Sequence, residues 1–270
     1  MKYEFTIRDL YYQVLDYEGE ELFTDLLKPW VENYNYKRFI NSITDILNIS
    51  NEKNCELYAL SRLLDILTLH FLPNNNADGS DWLGVEISKN EYIEFIKIIG
   101  LETVKPKTYD TFHCEIAETK VGNKNFEITE CLFPSVKLKN LLIKRSAVII
   151  TNRIEDYNLE LMNNSKIYWT FRRNNRKFID LSNGWGNNSQ WKTEFRLDLE
   201  NGNKIIYNYN GKFDLNQLSE ETLNELKEEG LEVNEAIELI VNRHFIKCSK
   251  DDSDLFPYNF RYDEIKKDYA

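Results

Sequence analysis

The chain has 270 residues, 42% of them hydrophobic and 13% aromatic, with a formal net charge of −11. That much apolar material supports one large core or two modest ones and excludes wholesale disorder. No apolar run approaches the roughly 18 residues of a membrane helix, and an acidic chain is poorly suited to non-specific nucleic-acid binding, which depends on neutralising phosphates.

The charge is unevenly spread. Residues 1–109 carry 11 basic and 18 acidic side chains, residues 110–216 carry 16 and 13, and residues 217–270 carry 7 and 14. Two acidic flanks therefore bracket a mildly basic middle, a distribution suited to solubility or to a basic partner. The N-terminus, MKYEFTIRDLYY, lacks the apolar core and cleavage site of a secretory signal. Cys55, Cys114, Cys131 and Cys248 are scattered without a CxxC pair. A reducing cytoplasm, without disulfides, is the expectation.

The first hundred residues read as helical. Leu22, Phe23, Leu26, Leu27 and Trp30 repeat at helical spacing after Glu20 and Glu21, with Pro29 expected to disturb the pattern. Phe39, Ile40, Ile43, Ile46 and Leu47 make a second stripe. Asn51 is the expected N-cap of a third helix carrying Leu57, Leu60, Leu63, Leu64, Leu67 and Phe71. Residues 73–79 are a loop. Ser88 and Glu91 have capping-box spacing, and Gly100 is the stop. This part reads as a small helical bundle or layer without chemistry of its own.

From about Thr108 the texture changes to short β-prone runs: 112–118, 126–133 and 147–152, with 136–145 ambiguous between strand and helix. Residues 167–172 and 176–181 read as paired strands joined through Asn174 and Asn175. The basic cluster Arg172, Arg173, Arg176 and Lys177 then falls at a hairpin tip, as a solvated turn or as a contact with an acidic protein or phosphate.

A glycine-bracketed loop follows, with Trp185 between Gly184 and Gly186 and the amides Asn183, Asn187, Asn188 and Gln190 around it. From Gln190 the pattern has period two. Trp191, Thr193, Phe195, Leu197 and Leu199 fall on one face; Lys192, Glu194, Arg196, Asp198 and Glu200 fall on the other, predicting a half-buried antiparallel strand with a charged outer face. Asn201-Gly202 is a strong hairpin signal, and residues 205–209 return. Helix resumes at Ser219, with Glu220 and Glu221 in the first turn and Gly230 as the stop, followed by a second helix over 235–245.

Known catalytic signatures are missing: the sequence has no GxSxG elbow, no P-loop and no GxGxxG motif. His113 with Cys114, and His244 with Cys248 beside Asp251 and Asp252, are weak metal candidates at unsuitable spacing, so neither metal nor cofactor is expected. His70 lies on an apolar helix face. Asp180, Glu194, Asp198 and His113 are the set a hydrolytic enzyme would use. Trp185, Asn188, Gln190, Trp191 and Arg196 are the set for a ligand or partner surface, and a ring at Trp185 among amides would also suit a sugar.

The run GWGNNSQWKTEFRLD, Gly184 to Asp198, resembles a motif in a group of bacterial proteins, with the pattern GWGxNSQW[RK]TxFRxD. FHCEI (112–116), LLIKRSAVII (141–150) and YWTFRR (168–173) are similar in order and spacing. The resemblance covers about residues 110–260 and implies no activity.

The reading as a whole is an α+β chain: a helical region over 1–105, then an antiparallel sheet with C-terminal helices packed on it over 106–270. Its expected function is non-enzymatic binding in a bacterial cytoplasm, as an immunity-type protein meeting a basic toxin, without nucleic acid or membrane. Carboxylate hydrolysis and small-molecule or sugar binding are the alternatives.

Overall fold

Two serines start the longest helices of the N-terminal region. In a computed structural model, which describes residues 7–75, 82–179, 191, 193–248 and 255–266, Ser50 accepts from the Lys53 amide and Ser88 forms a reciprocal capping box with Glu91. The first cap lies one residue before the expected Asn51. The helices of this region are α1 (Ile7–Leu15), α2 (Lys28–Tyr34), α3 (Tyr36–Ser42), α4 (Asn51–Thr68) and α5 (Lys89–Ile98). A π-helical turn, Phe23–Leu27, runs directly into α2, whose second residue is Pro29. Gly100 takes φ +93° after α5, the left-handed stop that glycine adopts without penalty.

Helix α4 is buried on nearly every side, so its polar residues need partners. Asn54 accepts from the Phe195 amide at 3.0 Å, Glu56 from the Ile7 amide at 3.2 Å, and Arg62 donates to the Tyr11 hydroxyl at 3.1 Å. Asp65 accepts from the Phe171 amide at 3.2 Å. This helix is the hub on which distant parts of the chain are fastened.

The strands are β1 (Glu102–Val104), β2 (Cys114–Val121), β3 (Glu127–Phe133), β4 (Ser135–Leu138), β5 (Leu141–Lys144), β6 (Ser146–Asn152), β7 (Asp198–Asn201), β8 (Lys204–Tyr207), β9 (Phe213–Asp214) and β10 (Phe260–Ile265). Three further helices are α6 (Leu159–Asn164), α7 (Glu220–Glu228) and α8 (Val233–Asn242). A seven-stranded sheet has the order β1-β4-β5-β7-β8-β10-β9, antiparallel except where β9 meets β10. The second sheet is β2-β6-β3, in which β2 and β6 run parallel.

The α+β architecture and the mostly antiparallel main sheet agree with the sequence reading. The ambiguous segment 136–145 resolves as the β4–β5 hairpin, turning through Lys139 at φ +56°. The Asn201-Gly202 turn joins β7 to β8, with Gly202 at φ +60°. Alternation places Leu141 and Ile143 in the core beneath the N-terminal helices, and Leu142 in a second core with α7, α8, β8 and β10. Between β5 and β6 the chain passes from one sheet to the other through a single residue, Arg145, as it does between β3 and β4 through Pro134. Among the described residues no helix is long and apolar enough to cross a membrane.

Two expectations are corrected. The paired strands over 167–181 reduce, within the described residues, to one isolated parallel bridge between Ile167 and Phe178. The basic run at their junction is no solvated turn: Arg173, Asn174, Asn175 and Arg176 are all buried, because their side chains bond carbonyls and carboxylates of α4, β2 and neighbouring segments.

A β-carbon at Gly211 would lie 2.5 Å from the Phe260 carbonyl group and 2.8 Å from the Arg261 amide nitrogen. Backbone cannot swing aside as a side chain can, so Gly211→Ala should force β10 away from its neighbours and cost about 1–3 kcal/mol. Urea denaturation checks this. An unchanged midpoint would mean the loop relaxes freely.

Candidate functional site

Four segments between residues 110 and 200, together with α4 and the end of α8, send charged side chains to the junction of the two sheets. Glu115 comes from the start of β2, Lys144 and Arg145 from the β5–β6 crossover, and Arg173 from the irregular segment. Arg196 and Asp198 come from the approach to β7, Asp65 from α4, and Arg243 follows α8 in a left-handed conformation at φ +67°. All but Arg243 are buried, Asp198 to 1% exposure, and the Arg243 side chain is only 12% exposed.

The contacts are close. Arg173 forms a fork on Glu115 Oε1 at 2.8 and 3.0 Å and reaches Asp65 Oδ1 at 3.4 Å, where Lys144 also binds. Arg196 Nε donates to Asp198 Oδ1 at 2.6 Å, and its Nη2 to the Ile240 carbonyl at 2.5 Å. Arg243 and Arg145 approach Asp198 Oδ2 at 3.4 and 3.6 Å, and the Asn208 amide donates to Oδ1 at 2.9 Å.

Burial alone would raise the Asp198 pKa, but Arg196, Arg243 and Arg145 outweigh it and hold the carboxyl below its usual range. Glu115 follows the same balance, with Arg173, Arg243 and Lys144 overcoming burial and holding it at about 2. For two of the cations burial dominates: Arg196 falls to about 9, and Arg243, pressed also by Arg145, to about 10, whereas Glu115 and Asp65 outweigh burial at Arg173 and raise it.

This arrangement corrects the expected outer face of the 190–200 segment. Trp191, Phe195, Leu197 and Leu199 are buried as the alternation predicts, but Arg196 and Asp198 are buried too, while Glu194 is exposed. Regular strand begins only at Asp198. Trp191 packs against Tyr11 and Tyr12, with its indole N–H donating to the Tyr12 hydroxyl at 3.2 Å and Arg62 over its ring at 5.0 Å. Asp180, Trp185, Asn188 and Gln190 lie outside the described residues.

His113 faces a different space, an open cleft of about 1040 Å³ whose walls include Tyr109, Phe126, Ile237, Glu238 and Tyr262. Its ring Nδ1 lies 3.1 and 3.2 Å from the two Asp110 oxygens, and its amide donates to the same carboxylate at 2.7 Å. Asp110 is thus fastened as a turn acceptor, and it orients the imidazole. Cys248, on the same cleft, has its thiol pushed up to about 12, first by burial and then by Glu238, so it stays protonated. His244 is fully buried with Nδ1 2.9 Å from the Asn242 carbonyl; burial, then Arg176, drives its pKa well down and keeps the ring neutral. Among the described residues no three His, Cys, Asp or Glu side chains are grouped to hold a metal ion.

The helical region shows no chemistry in its sequence, yet Asp65 and Arg62 of α4 belong to this junction. The available signal was charge at positions 62 and 65 within the otherwise uncharged stretch 57–68 of that helix. No protein-family model, curated protein or solved structure matches this chain.

Proposed function

We propose that this chain is a non-enzymatic binding protein of the immunity type, whose partner is a basic protein toxin. The observation that carries this reading is the surface of α7 and its junction with α8. Leu218 and Leu223 are 48% and 47% exposed there, and Glu220, Glu221, Glu228 and Glu232 are exposed around them. A shallow groove of about 470 Å³ runs between Leu223, Leu226, Leu231 and Val233. Burial, reinforced by Glu225 and Glu228, raises the Glu229 pKa, as expected where carboxylates crowd. Lys227 also stands on the groove wall, but the carboxylates outnumber it, and apolar side chains among them combine an anchor with electrostatic steering toward a cation-rich surface.

Against carboxylate hydrolysis stands the state of Asp198: three guanidinium groups surround it and hold it ionised, which suits neither a proton donor nor a free nucleophile.

The test is affinity purification of the tagged chain from its native host, compared with the Glu220→Lys/Glu221→Lys/Glu228→Lys variant. A basic protein should bind wild type, bind the folded variant at least roughly tenfold more weakly, lose affinity with added salt, and be toxic when expressed alone. No basic partner, or equal retention by both forms, would overturn the proposal.

A further inference from the structure

The charges at the sheet junction do not balance. They surround a cavity of about 50 Å³ lined by Arg62, Lys144, Arg145, Arg173, Arg196 and Arg243, with the carboxylates Asp65, Glu115 and Glu194 also on its wall and Asp198 just behind it. Six cations against four carboxylates leave a positive excess inside the protein. The space is several times the roughly 10–15 Å³ that one water requires by a comparable measure, and the wall is polar.

Hydrogen bonding points the same way. Arg145 is 2% exposed, and its Nε, Nη1 and Nη2 have no hydrogen-bond partner among the described residues. Its contacts are the 3.6 Å approach to Asp198 and the Tyr207 ring, whose centroid lies 5.9 Å away. Arg196 Nη1, Arg243 Nε and the Thr170 hydroxyl are likewise without partners, and all four residues line the cavity. One acceptor, Glu115 Oε2, is also unsatisfied there and lies 3.9 Å from Arg243. A buried guanidinium lacking hydrogen bonds is among the costliest arrangements in a protein interior. Guanidinium donors from several chain segments converging on one enclosed space are complementary to an oxyanion, which accepts from all of them.

We propose that this cavity binds one phosphate group, with Arg145 as its principal ligand and Arg196, Arg243 and Thr170 completing the donor set. The site is separate from the acidic α7 surface and independent of it. Exposed Glu194 and half-buried Trp169 mark the side on which the wall reaches solvent. The phosphate could be free or the end of a phosphomonoester.

Equilibrium dialysis of the full chain with radiolabelled orthophosphate should find one site per chain. At one hundred times the dissociation constant, the thermal midpoint should rise by roughly 5–10 °C over sodium chloride of equal ionic strength. Glycerol phosphate in a parallel arm separates the sources: a larger shift than orthophosphate assigns an esterified ligand, and a smaller one assigns the free ion. Arg145→Met should abolish both the binding and the shift, and should match or exceed the wild-type midpoint without phosphate, because it removes an unsatisfied buried cation. Should that variant fail to fold, Arg145→Gln and the dialysis stoichiometry of wild type decide. No saturable binding by wild type, or a shift that survives in the Arg145 variants, overturns the proposal.

Discussion

Replacing Asp198 by alanine should destabilise the protein by about 3–5 kcal/mol, among the largest effects available to any single substitution in this chain. The carboxylate is 1% exposed and is approached by Arg196, Arg243 and Arg145 while also accepting from the Asn208 amide. Its removal leaves guanidinium groups facing one another in a medium that screens poorly, and leaves the Asn208 amide without its acceptor. Asp198→Asn should recover little, since an amide oxygen accepts a hydrogen bond but supplies no charge. Urea denaturation gives the magnitude. Asp198→Ala combined with Arg145→Met should be less damaging than the two changes summed, because they lie in one network. A loss below about 1 kcal/mol for Asp198→Ala would mean that water enters the junction freely.

The same residues show what a linear reading can and cannot reach. Local chemistry was legible: Ser88 with Glu91 capped a helix, Ser219 started another, and Asn201-Gly202 turned β7 into β8. Each signal lies within a few residues of its effect. The apolar face of the 190–200 segment was legible for the same reason, since alternation is a property of the segment itself. Its charged face was not. A run such as Arg172 to Lys177 looks solvated unless its partners are known, and those partners are far along the chain: Glu115 lies 58 residues from Arg173, and Asp65 lies 108. The parallel pairing of β2 with β6 was equally hidden, because consecutive β-prone runs suggest hairpins, while β3, β4 and β5 intervene before β6 returns beside β2. The helical region reads as being without chemistry because its pattern is largely apolar. Yet Asp65 is where α4 meets Lys144, Arg173 and the Phe171 amide.

Because the junction works through ionised carboxylates, stability should fall steeply in acid. Glu115, at about 2 in the folded protein against an ordinary 4.5, contributes stability that is fully present above pH 4.5 and lost as pH falls toward 2. A shift of that size corresponds to about 3 kcal/mol. Asp198 and Asp65 are displaced in the same direction, in each case because neighbouring cations outweigh the cost of burial, so their losses add to it over the same acid range. Urea midpoints for wild type should therefore drop sharply below about pH 5. Glu115→Gln should be less stable at pH 7, since Arg173 and Arg243 lose a charge partner, and its curve should be flatter between pH 4.5 and 2 because one titrating group is gone. The two curves should converge in acid, where the wild-type carboxyl has taken up its proton and no longer differs in charge from the amide. A constant gap between them down to pH 2 would place the contribution of Glu115 in packing rather than in charge.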